Sequence, residues 1–137
     1  MQEKYVQRAV QLNGQGYNCA QSVACAFSDI LDLDENTIFR LSEGFGGGMG
    51  GYDGTCGAIS GAVLVISLVN SAGNATQPSK EKTYTLVKEL FDRFVEETGS
   101  SVCKELKGMD TGVALYPCID CIKEAVRFTY ASLKTSR

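Results

Sequence analysis

The 137-residue sequence has no histidine and no tryptophan, and only two prolines. The missing imidazole removes whole classes of chemistry. No Cys-His or Ser-His nucleophile pair can form. No His-ligated zinc site and no Cys-x-x-Cys-His haem attachment can form either. Any metal would have to rest on thiolates, carboxylates or backbone. Positive charge is also sparse, with 13 basic against 16 acidic residues, a net charge of −3 and no basic block. Nucleic acid is therefore not an expected partner. Long apolar runs are missing too. The most apolar stretch, 58–69, is 12 residues long and contains Gly61 and two serines. A membrane span needs roughly 20 residues, so this stretch reads as a buried core helix. The start, Met1 to Tyr5, looks helical and lacks the apolar run of an export signal, which points to a cytoplasmic protein.

What is present is a 44% hydrophobic chain, enough for one domain over residues 1–137 with a real core. Few segments alternate with period two, and helical periodicity predominates. The expected fold is all-α, a compact single-domain bundle of about six to seven helices with a Gly-rich loop. Residues 2–13 form the first helix, stopped by Gly14 and Gly16. Asn18 caps the second, with Gln21 as its capping-box partner, and the apolar stripe of Val23, Phe27 and Leu31 carries it to about Leu31. Asp34 caps a third, 35–42. Thr55 or Asp53 caps a fourth, about 56–70, whose apolar sides suggest a central place or a homodimer contact. A fifth spans about 80–97 and ends at Gly99. Ser100 or Ser101 caps a sixth through Leu106. Pro117 suits the first turn of a seventh running to about Leu133.

Six cysteines are many for such a domain, and without export they read as metal ligands or redox thiols rather than staples. On the helix map, Cys19, Cys56, Cys103 and Cys118 all fall in a first turn. There the backbone N–H groups lack partners and the macrodipole is positive. Both favour a thiolate, the species that binds metal and attacks disulfides. Cys25 lies between two alanines and suits plain packing, although Ser22, Asp29 and Asp32 on its side of the helix place it near the surface. Cys118 and Cys121 make a Cys-x-x-Cys whose members share a helix face, but no strand precedes it as a thioredoxin-like site would need.

Residues 44–54 contain seven glycines in eleven, so neither helix nor strand is expected there. The loop is neither a P-loop nor a dinucleotide fingerprint. Its glycines, with Gly46, Gly47, Gly48, Gly50 and Gly57 foremost, either let elements pack closely around Cys56 or offer N–H groups to a cofactor. Glu43 and Asp53 suit surface or capping roles better than ligation.

Gly16-Tyr17-Asn18-Cys19-Ala20-Gln21-Ser22-Val23, the 44–50 glycine run, Cys56-Gly57-Ala58-Ile59-Ser60-Gly61, Cys103 and Cys118 together resemble the redox-active C_GCAxxG_C_C proteins of bacteria and archaea. The resemblance covers nearly the whole chain. The four cysteines that name the family match Cys19, Cys56, Cys103 and Cys118; Cys25 and Cys121 fall outside its pattern. It implies redox activity, with an iron–sulfur cluster on those four thiolates serving electron transfer or sensing. The residues themselves fit zinc equally well. They also fit a metal-free thiol–disulfide oxidoreductase in which Cys56 attacks and another thiol, such as Cys19, resolves, or a small-ligand module without turnover. The expected partner is a redox protein or a small thiol or disulfide.

Overall fold

The computed structural model describes residues 1–135. Seven helices of five or more residues carry the fold: α1 Gln2–Gly14, α2 Cys19–Ala26, α3 Glu35–Ser42, α4 Gly57–Asn70, α5 Lys80–Thr98, α6 Cys103–Lys107 and α7 Cys118–Thr135. The described residues contain no strand, only an isolated antiparallel bridge between Thr55 and Val102. No described helix is long and apolar enough to cross a membrane. The expected all-α bundle is the fold that forms.

Local signals explain most of the helix starts. Asn18 closes a full capping box: its side chain accepts from the Gln21 N–H, and its own N–H donates to the Gln21 side chain, each at 2.9 Å. Asp34 accepts from the Thr37 N–H at 2.7 Å. Gly99 ends α5 in a left-handed conformation at φ 98°, which costs glycine little.

Four expectations fail. The second helix stops at Ala26 rather than about Leu31, and residues 27–30 turn instead. Neither Thr55 nor Asp53 caps α4; its N-cap is Cys56, held by its backbone N–H donating to the Ser101 carbonyl at 2.7 Å. Neither Ser100 nor Ser101 caps α6, whose N-cap is Val102. Ser100 Oγ instead accepts from the Val102 N–H at 3.0 Å and donates to Glu105 at 2.6 Å. The glycine run is also not irregular throughout. A 3-10 turn, Glu43–Phe45, leads into one helical turn, Gly46–Met49, within which Gly47 and Gly48 take left-handed angles.

The core lies where α4 meets α2, α5 and α7, with α1 packed on α2 and α7. Phe27, Ile38, Ile59, Ile66, Leu90, Phe94, Ile122 and Val126 are almost fully buried in it. α4 is central because two glycines thin one of its sides. Gly57 and Gly61 are four apart and share a face. A Cβ at Gly61 would stand 2.5 Å from the Ala20 carbonyl oxygen, and one at Gly57 would stand 3.2 Å from both the Ala20 nitrogen and the Cys19 Cβ. The Cys-Gly-Ala-x-x-Gly element is thus a contact surface. It lets α4 press against the first turn of α2 and brings Cys56 toward Cys19.

Candidate thiol centre

All four cysteines expected at helix starts are found there. Cys19, Cys103 and Cys118 are the first residues of α2, α6 and α7, and Cys56 is the N-cap of α4. The Thr55–Val102 bridge holds two of these starts side by side. Around it the Cys103 N–H donates to the Gly54 carbonyl at 3.0 Å, and the Lys104 N–H donates to the Tyr52 carbonyl at 2.9 Å. Asp53 pairs with Lys104 at 3.1 Å, so it serves this junction and is not turned to the thiols. Asn18 Nδ2 donates to the Glu43 carbonyl at 3.0 Å, tying the α2 start to the glycine turns.

The glycines of that segment have separate uses. A side chain at Gly46 would strike Asn18. Gly47 (φ 59°) lies under the Tyr52 ring, and Gly50 (φ 84°) has nothing within 4 Å of where a Cβ would be. Gly48 is buried against Cys103, where a Cβ would collide with the Cys103 Cβ. Gly48 and Gly57 therefore border the thiols directly, and Gly50 serves the turn.

The thiols meet in pairs. Cys19 and Cys118 share a hydrogen bond, as do Cys56 and Cys121, and Cys103 lies within electrostatic reach of Cys56 and Cys118. Cys56, Cys103 and Cys121 are nearly buried, at 5%, 6% and 1% exposure, while Cys19 and Cys118 are half-buried. Cys121, which the family pattern leaves out, belongs to the centre. The Cys-x-x-Cys spacing signalled it, because two thiols one turn apart on α7 face the same way.

The environment divides the thiols into two kinds. The hydrogen bond from Cys19, together with the nearby Lys107 ammonium, lowers Cys118 to about 6. Its partner Cys19, as donor, is pushed well above the ordinary thiol value. Cys56 is lowered by the hydrogen bond from Cys121 and by the N–H groups of Ala58 and Ile59. Its sulfur makes no ordinary side-chain cap on α4, but these N–H groups still favour its anion, as a helix start should. Cys121 is pushed up as the matching donor, and burial raises Cys103. Lys107 is itself raised by the Cys118 charge. Sequence spacing gave no hint of Lys107. It reaches the centre because Gly108, left-handed at φ 70°, ends α6 there, and the Leu115 N–H then bonds to the Leu106 carbonyl at 3.0 Å on the way to α7.

Cys25 stays apart. It is fully buried, not near the surface as its polar neighbours suggested, because Ser22 is buried with it. Its sulfur lies 3.9 Å from the Glu35 carbonyl, and burial pushes its thiol up to about 12. It packs.

Among the described residues, no group of three or more His, Cys, Asp or Glu side chains is arranged to hold a metal ion. A lone ion needs three or four donors converging on one point. A cluster takes four thiolates over several irons, so each iron asks for only one or two protein sulfurs. All-sulfur donors, with Cys103 against the bare backbone of Gly48, match that chemistry in kind.

The family model for C_GCAxxG_C_C, described as a family of proposed redox-active proteins, matches residues 17–131. An uncharacterized protein of Archaeoglobus fulgidus is 27% identical over 146 aligned positions, covering 98% of this chain and 97% of the relative. No solved structure matches.

Proposed function

From the premise that the chain belongs to the C_GCAxxG_C_C family, we propose that its thiol centre is a redox site in which Cys19, Cys56, Cys103 and Cys118 hold an iron–sulfur cluster for electron transfer or redox sensing. The observation that carries this reading is that those four thiols each stand at a different helix start, with Cys103 against the side-chain-free backbone of Gly48 and Cys19 against that of Gly57. When bound, such a cluster would supply one-electron chemistry. The chain's own part is to supply thiolates. The helix start at Cys56 and the ammonium of Lys107 near Cys118 both favour the anion that ligation requires. Burial of Cys56 and Cys103 limits water. Half-exposed Cys19 and Cys118 lie at the side from which a partner, a redox protein or a small thiol or disulfide, would exchange electrons. Serine at each of the four positions, with Cys25→Ser alongside, tests the assignment. Iron bound after anaerobic reconstitution should fall sharply in the four variants and persist in C25S.

A second reading rests on the Cys19–Cys118 hydrogen bond. A thiolate at Cys118 beside a protonated Cys19 is the arrangement of a metal-free dithiol. Protein that takes up no iron on reconstitution but cycles a Cys19–Cys118 disulfide would favour it.

A further inference from the structure

The proposed ligand set leaves Cys121 unused, yet it is the most deeply buried thiol of the centre, at 1% exposure. It shares a hydrogen bond with Cys56. Its other close polar neighbour is the Tyr116 carbonyl, 3.9 Å from its sulfur. Cys118, one turn earlier on α7, partners Cys19 instead. α7 thus presents two thiols to two different elements, one to the start of α2 and one to the start of α4. Cys56 is only 5% exposed, so a small oxidant suits it better than a bulky disulfide.

We propose that Cys56 and Cys121 close a disulfide when the protein meets a hydroperoxide, giving the centre an oxidised state made of protein atoms alone. The Cys56 thiolate attacks the O–O bond of hydrogen peroxide. An S–O bond forms, hydroxide leaves and takes up a proton as water, and the sulfur becomes a sulfenic acid. The Cys121 sulfur then attacks the Cys56 sulfur. The S–S bond forms, the S–O bond breaks, and the departing hydroxide takes the Cys121 proton as a second water. Two thiols and one peroxide give one disulfide and two waters. The disulfide does not depend on the cluster reading. Its consequence, withdrawal of Cys56 from iron, rests on that reading.

The test uses the full chain, treated with a chelator and then with limiting hydrogen peroxide. Free thiols are alkylated in acid, and the protein is digested with trypsin without reduction. Cleavage after lysine and arginine leaves Cys56 as the sole cysteine of residues 41–80, and puts Cys118 and Cys121 together in residues 108–123. The expected product links these two peptides, persists in C118S and is lost in C121S. Fragmentation of the wild-type product should place the link on Cys121, which answers the same question should C121S fold poorly. A link placed on Cys118, a link from 41–80 to the Cys103 peptide (94–104) or the Cys19 peptide (9–40), or free thiols after peroxide would overturn the proposal. Iron content of protein never exposed to peroxide reports on the cluster separately.

Discussion

Gly48 backs directly onto Cys103. A Cβ at Gly48 would collide with the Cys103 Cβ and stand 3.3 Å from its sulfur, and the Gly54 carbonyl oxygen closes the other side at 3.1 Å. The backbone there is also left-handed, at φ 56° and ψ 57°. Steric room and conformation therefore demand glycine for separate reasons. The bare segment is shaped by the thiol it covers.

Gly48→Ala should cost about 2 kcal/mol or more, from the left-handed backbone and the overpacking together. Urea unfolding of the metal-free protein measures it. Gly44→Ala, in the same segment but with open space and an ordinary backbone, should change stability by under about 0.5 kcal/mol. Equal effects at the two sites would mean that the Gly48–Cys103 contact is not tight.

Gly61→Ala tests the seam between α2 and α4. Its Cβ would press on the Ala20 backbone rather than on a flexible side chain, so the helices must separate. The expected loss is about 1–3 kcal/mol. Because Cys19 neighbours Ala20, iron uptake should fall as well. An unchanged unfolding midpoint would show that the seam can open at no cost.

The Cys118 thiol should titrate early in metal-free protein. Its rate of alkylation by iodoacetamide, followed by mass spectrometry, should hold down to about pH 6 and fall below it. A depressed folded-state value stabilises the fold above the ordinary thiol range, and that contribution is lost as pH falls through about 6. The raised value at Cys19 acts in the opposite sense, its contribution being present below the ordinary thiol range and lost only above it. Between these limits the pair holds one proton. Lys107→Met removes the nearby ammonium and should move Cys118 up by about one unit, slowing alkylation at pH 6.5 about threefold. A pH profile unmoved by this change would remove Lys107 from the centre.

What the sequence made legible follows from where each signal resides. The starts of α2 and α3 are written in neighbouring residues, Asn18 with Gln21 and Asp34 with Thr37, so they could be read without the fold. The starts at Cys56 and Val102 could not. A tertiary bridge between Thr55 and Val102 replaces the side-chain caps that Thr55 and Ser101 appeared to offer. Cys25 misled because Ser22, polar in sequence, is buried beside it. Cys121 was visible as half of a Cys-x-x-Cys, but its partner depends on how α7 lies against α4. Lys107 reaches Cys118 only through the fold-back at Gly108, which sequence spacing does not encode. The Cys-Gly-Ala-x-x-Gly element was recognisable as a pattern; its reason, the close approach of α4 to Ala20, needed the packing.

The most direct test is iron and acid-labile sulfide content, with a visible spectrum, on protein purified without oxygen. The account predicts about two to four irons per chain, a matching amount of sulfide and a broad brown absorption near about 400 nm, the pattern of a two- or four-iron cluster. Colourless, iron-free protein that also takes up no iron on anaerobic reconstitution would contradict it and leave the paired thiols themselves as the redox centre.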